Sequence, residues 1–168
     1  MSDTVVSWQQ PTHPDVLKVE VGEKLTSRAV SLVSLPAGAR VSDLGDFHKV
    51  SEPKYTTIQR GVSEHVEPTS DMVFCNHSCR PTVEFDTAAW EVRVVKDRDL
   101  KAGDDLTFFY PSSEWSMDQP FDCHCKANEG EYKCLGKIQG AKYLNKETLG
   151  RYWLNKHIVE LASKNKSS

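Results

Sequence analysis

Apolar and polar residues alternate along most of this chain in runs too brief for helices. Val16-Leu17-Lys18-Val19-Glu20-Val21 repeats with a period of two, which predicts a strand. Arg28 to Leu35 is a β-branched and aliphatic run closed by the turn residues Pro36-Ala37-Gly38. Residues 42–54 carry Gly45, Pro53 and many charges and read as loop, and Tyr55 to Gln59 reads as a short strand. Val83–Phe85 and Glu91–Val95 flank Asp86-Thr87-Ala88-Ala89, the pattern of a hairpin. Lys101-Ala102-Gly103-Asp104 is a further turn, followed by a strand from Asp105 to Phe109.

The periodicity changes near the end. Leu154, Ile158, Leu161 and Ala162 recur at helical spacing. Asn145 can cap this helix, with Glu147 in its first turn and Leu144 and Leu149 at staple spacing. Gly150 weakens its start by about 1 kcal/mol relative to Ala. Lys164 to Ser168 is expected to fray, and residues 1–15, polar with Pro11 and Pro14, to form an irregular lead-in. The pattern as a whole predicts a mainly β chain of short strands with one C-terminal helix.

The 168 residues, 38% hydrophobic and 27% charged, suffice for one compact domain. A formal net charge of −3 gives no basic field for nucleic acid, so no direct nucleic-acid binding is expected. No apolar run approaches the roughly 20 residues of a membrane helix, and the N-terminus lacks a signal-peptide pattern. The expected address is cytosolic or nuclear, without membrane association. In such a reducing compartment the five cysteines are not expected to form disulfides. Three of them crowd into residues 123–134, which points to a metal. There is no nucleophile elbow and no phosphate-binding glycine loop.

Three motifs carry the chemistry. Asn76-His77-Ser78-Cys79-Arg80-Pro81-Thr82 lies mid-chain, Asp105-Leu106-Thr107-Phe108-Phe109-Tyr110 follows it, and Cys123-His124-Cys125 with Cys134-Leu135-Gly136 closes the series. Together they resemble the SET domain family with its post-SET zinc segment, over roughly residues 16–144. The resemblance implies short strands in small sheets, with a pseudoknot around the segment bearing Asn76. It also implies a SET-like domain over 16–112, a zinc segment over 113–144 and a helix with a frayed tail over 145–168. The activity it implies is methyl transfer from S-adenosylmethionine to a lysine of a protein or peptide. Tyr110 would stand at the methyl-transfer channel, Asn76 and His77 would touch the cofactor, and Cys79 would join Cys123, Cys125 and Cys134 around a structural zinc. Four thiolates close a zinc site and leave no position for water.

Plainer readings stand beside these. The cysteines can be unpaired structural thiols, or His124 can replace one as a ligand. His77 can be a core histidine bonded to backbone, Tyr110 an ordinary strand tyrosine and Cys75 a small core residue. Trp115 can line the pocket mouth or lie in the core.

Several positions depart from the family pattern. Its Gly-x-Gly turn falls on Thr26, Ser27 and Arg28 here, and Arg28 becomes a candidate partner for the methionine carboxylate. Thr82 replaces an asparagine, Phe109 a polar residue, and Lys126 the glycine common after the second cysteine. Residues 126–133 lengthen the spacing to the last cysteine, and the short stretch from Val41 to Cys75 implies a shallow substrate groove. Two alternatives follow: the fold remodelled to act on a small apolar metabolite without methyl transfer, or a catalytically silent binding module.

Overall fold

The computed structural model describes residues 6–23 and 26–165. Strand β1 (Leu17–Glu20) pairs antiparallel with β2 (Arg28–Ser31), and the alternation read from the sequence buries Leu17 and Ala29 on one side. Strands β3 (Arg40–Asp43) and β4 (Phe47–Val50) occupy much of the stretch expected to be loop. The charges there misled because β4 is an edge strand. His48 and Lys49 point to solvent while the backbone pairs with β6 (His65–Pro68), which also holds β5 (Ile58–Gln59). Gly45, at φ 78°, makes the β3–β4 turn, where an added Cβ would lie 2.4 Å from the Ser70 Cβ.

Two residues, Asn76–His77, form β7. Strands β8 (Val83–Asp86) and β9 (Glu91–Val94) form the expected hairpin, and β3 extends it to a three-stranded sheet. Along β8 the period of two sends Val83 and Phe85 inward and Glu84 and Asp86 outward. Strand β10 (Thr107–Phe108) runs parallel to β7, with Thr107 opposite Asn76 and Phe108 opposite His77. Phe108 stacks on Phe85 at 3.9 Å, and Met72, Val66, Val92, Val94 and Leu106 pack in the same core. Burying each such side chain contributes roughly 1.5–3 kcal/mol.

The lead-in is tethered. Buried Asp71 accepts from the Trp8 indole (2.9 Å), the Gln10 amide (2.7 Å) and the Thr12 backbone N–H (2.9 Å).

After β10 the strands become two-residue pairs around the cysteines. β11 (Phe121–Asp122) and β14 (Lys137–Ile138) pair with each other, and β12 (Asn128–Glu129) and β13 (Tyr132–Lys133) form a hairpin. The single C-terminal helix expected from the spacing is two. Asn145 caps α1 (Lys146–Leu149) by accepting from the Thr148 N–H at 2.8 Å, and the chain then breaks at Gly150. Helix α2 (Lys156–Lys164) begins at Asn155, whose side chain bonds other elements instead of capping. After the break the segment 150–155 leaves a turn at Gly150 and Arg151 and bonds the body as a strap. The expected fraying falls largely on residues 166–168, outside the described residues. No described helix is long and apolar enough to cross a membrane.

Candidate active site and cysteine cluster

Tyr110 opens a short 3-10 turn directly after β10. The parallel β7–β10 pair places this turn beside His77. The Tyr110 backbone N–H donates to His77 Nδ1 at 3.1 Å, and the Tyr110 hydroxyl donates to the Cys75 carbonyl at 3.3 Å. Because Nδ1 accepts, the ring proton sits on Nε2, which lies 3.4 Å from Cys79 Sγ and donates to it. Burial drives the His77 pKa down to about 3, so the ring is neutral. Burial, with the neighbouring Cys75 and Glu114, raises the Tyr110 pKa, so its hydroxyl keeps its proton at neutral pH. Cys75 is a buried core residue whose thiol burial also raises.

Cys79 is fully buried. Its sulfur lies 4.0 Å from that of Cys123 and accepts from the Leu135 N–H at 3.4 Å. The sulfurs of Cys79, Cys123, Cys125 and Cys134 all lie within 4.8 Å of one another. A tetrahedral Zn–S site asks for separations of roughly 3.8 Å, from bonds of about 2.3 Å, so a small contraction fits a zinc ion. Exposed His124 is not in the cluster. Burial pushes the Cys79 and Cys123 thiols up, whereas at Cys125 burial is outweighed by backbone N–H donors, Ala127 first, and the thiol is pulled down.

The added residues between the second and third cysteines fold as the β12–β13 hairpin, turning at Gly130 (φ 58°). Lys126, where the family favours glycine, has φ 55°, so the position keeps its left-handed backbone without the residue that suits it.

The Asn76 amide donates to the Ser27 carbonyl at 2.9 Å. The Arg28 guanidinium is held by Glu20 (2.6 Å) and Asp105 (2.8 Å). Both sides of the guanidinium are therefore engaged within the chain.

Sequence reasoning missed three sets of residues around the Tyr110 turn. Glu114 accepts from the Gln59 backbone N–H and the Ser113 hydroxyl, both at 2.9 Å, while Gln59 Oε1 accepts from the Trp115 N–H at 2.9 Å. This reciprocal clamp joins β5 to the turn, and burial raises the Glu114 carboxyl to about 7. Its only sequence signal is one acid among aromatics after Tyr110. Trp115 itself packs with Ala141, Leu149 and Ile158. The strap and the first turn of α2 supply the other two sets. Tyr152 stacks on Phe109 (3.6 Å between centroids) and donates its hydroxyl to the Cys79 carbonyl at 2.7 Å. Asn155 and His157 bond the carbonyls of Ser112 and Ser113, at 3.0 and 2.7 Å.

Known proteins are similar to this chain. The family model for the SET domain covers residues 15–111, more than half of the chain. The chain is 47% identical over 162 residues to "Methyltransferase flvH" of Aspergillus flavus, covering 96% of this chain and 89% of that protein. It is 35% identical over 81 residues to "Histone-lysine N-methyltransferase, H3 lysine-36 specific" of Aspergillus oryzae, covering 45% of this chain and 8% of that protein. A crystal structure of KRYPTONITE with mCHH DNA, H3(1-15) peptide and SAH superposes with a TM-score of 0.49 at 18% identity, over 70% of this chain and 29% of that one. The family model and the relative of nearly equal length establish that the chain belongs to the SET domain family.

Proposed function

We propose that this protein transfers a methyl group from S-adenosylmethionine to a lysine amine of a protein or peptide, at a nuclear or cytosolic address. One observation carries the reading: the parallel pair of β7 and β10 sets Asn76 and His77 beside the strand that delivers Tyr110, whose hydroxyl is fixed at the Cys75 carbonyl. The methyltransferase relatives support the reaction class, and the histone-lysine enzyme among them supports the lysine acceptor.

The cofactor, when bound, supplies an electrophilic methyl group on a sulfonium. The residues suit it. Asn76 spends its amide on Ser27, and no hydrogen bond is made to its carboxamide oxygen among the described residues, so an acceptor remains for the methionine ammonium. His77 contributes a rigid neutral ring edge. Tyr110 is a protonated hydroxyl on a fixed turn. It orients the acceptor amine in line with the methyl group, and alignment is the main requirement of such a transfer. Apolar surroundings favour the neutral, nucleophilic amine. Cys79, Cys123, Cys125 and Cys134 would hold one structural zinc that fastens the strap-bearing end of the chain to the Asn76 segment.

Calorimetry with S-adenosylmethionine and S-adenosylhomocysteine, coupled to mass spectrometry of lysine peptides, tests the reading. Saturable binding of both ligands is expected, with transfer lost and binding kept in Tyr110→Phe. No binding at millimolar ligand would sink it.

A further inference from the structure

A cavity of about 300 Å³ lies behind the Tyr110 turn, between β8, the β12–β13 hairpin and the strap. Asn76, His77 and Tyr110 do not line it, so it is separate from the proposed transfer site. Its floor is Phe109, 2% exposed and stacked with Tyr152 at an interplanar angle of 5°. Tyr132, on the hairpin, makes a second wall, tilted 57° to Tyr152 with centroids 5.8 Å apart. Partly buried Trp153 makes a third. Aromatic faces set at angles around a hollow are how proteins receive cations with apolar shells.

The charges on the wall agree with that. Glu84 projects into the hollow from the outer face of β8, half-buried, with no hydrogen bond or ion pair among the described residues. The arginines near it, Arg151 on the pocket wall among them, are occupied. Arg93 is bound by Glu91 and Asp86, Arg98 by Asp97 and the carbonyls of Arg80 and Pro81, and Arg151 by Glu147. Asp97, the other wall carboxylate, is satisfied by Arg98 and the Tyr132 hydroxyl. Lys96, exposed on the wall, and Arg93 attract Glu84 without forming an ion pair with it. Burial outweighs that attraction and raises the Glu84 pKa, since a carboxylate partly withdrawn from water with no hydrogen bond is costly. An anion entering the hollow would meet Glu84, and a neutral apolar molecule would desolvate it further. A small inorganic cation would gain little from the rings relative to its hydration.

We infer that this pocket binds a small alkylammonium cation, its alkyl groups against Tyr132, Tyr152 and Trp153 and its charge neutralising Glu84. The volume falls at the lower end of small-molecule sites. The inference is independent of methyl transfer. The pocket is made by two features not anticipated from the family pattern, the lengthened cysteine hairpin and the strap, so its occupant belongs to this chain and relatives that share them.

The test is an NMR titration of the zinc-loaded protein with choline chloride and, separately, with 3,3-dimethylbutan-1-ol, its neutral isostere, at matched ionic strength. Choline is expected to give saturable shifts of the Trp153 indole and of the Tyr132 and Tyr152 rings, with the isostere at least tenfold weaker. Glu84→Gln, on the outer face of its strand, should weaken choline at least tenfold and leave the isostere unchanged. Tyr132→Leu, at the hairpin rim, should weaken choline as well. Equal affinity for the two ligands, choline binding indifferent to Glu84→Gln, or no saturable shift at these rings would each overturn the inference. Thermal melts confirm that each variant is folded before it is titrated.

Discussion

The backbone N–H of Tyr110 is bonded to the ring of His77 at 3.1 Å. The same imidazole reaches Cys79 Sγ with its other nitrogen at 3.4 Å, so one neutral ring joins the cysteine cluster to the tyrosine turn. Replacing it with phenylalanine keeps the packing but leaves a buried N–H unpaired. His77→Phe should cost roughly 1–3 kcal/mol of stability, read by urea unfolding. It should also lower the activity proposed for Tyr110 by more than the unfolded fraction accounts for. A variant with wild-type stability would show that the ring carries no such link.

The four-sulfur cluster makes a stoichiometric prediction. Elemental analysis should find one zinc per chain, and Cys79→Ser should reduce it below stoichiometry. Chelation should make four thiols reactive to a chromogenic disulfide while buried Cys75 stays silent, and should lower Tm. Unchanged thiol reactivity on chelation would rule out the four-thiolate site.

Lys126 holds a left-handed backbone at φ 55°. A non-glycine residue there costs about 1–2 kcal/mol, partly offset by the entropy glycine loses on folding. Lys126→Gly should therefore stabilise the zinc-loaded protein by roughly 0.5–1 kcal/mol, seen as a higher denaturation midpoint with an unchanged slope. A destabilised variant would mean that the lysine side chain matters more than its backbone.

Glu114 gives stability a pH dependence of unusual sign. Its carboxyl is raised from 4.5 to about 7 by burial, against the pull of the Gln59 N–H and Ser113 hydroxyl. The native state therefore binds this proton more tightly than the unfolded chain. Its contribution is fully present below about pH 4.5 and is lost as pH rises through 7, amounting to at most about 3 kcal/mol. Glu114→Gln removes the titration. Relative to wild type, the variant should gain stability between about pH 4.5 and 7 and level off above, in paired urea titrations, a difference from which other titrating groups cancel. A flat difference would mean that the carboxylate stays ionised throughout.

What the chain discloses of this arrangement depends on distance along it. The β8–β9 hairpin was legible because alternation and turn chemistry are local, and so was the Asn145 cap. The cysteine spacing pointed to a shared centre for Cys123, Cys125 and Cys134, the family resemblance added Cys79, and the fold brings all four sulfurs together. Strand β4 was hidden because an edge strand needs no apolar face, only a partner backbone. The Gln59–Glu114 clamp spans 55 residues and leaves no period or motif, since its logic is a hydrogen-bond pair that exists only after folding. Asn155 gives no local signal either, because it stands where a cap belongs while its amide is used on distant carbonyls and the Thr87 N–H.

Asn155 is the place to test the strap. It is 2% exposed, its Oδ1 accepts from the Thr87 N–H at 2.9 Å, and its Nδ2 donates to the carbonyls of Phe85 and Ser112 at 2.9 and 3.0 Å. Replacing it with alanine takes this partner from the Thr87 N–H and the Phe85 carbonyl and opens a small void, while the Ser112 carbonyl keeps the Asn155 backbone N–H at 2.9 Å. Because each unsatisfied group costs about 1–3 kcal/mol before relaxation, Asn155→Ala should cost roughly 2 kcal/mol or more. Hydrogen exchange separates loss of the strap from general weakening. Protection should fall first at Tyr152 to Leu161 and at the Tyr110 turn, which the strap holds through Ser112 and Ser113, while the β8–β9 amides keep their order. Uniform loss of protection across the chain would instead mean that strap and body unfold as one unit, and that Asn155 supports the whole core.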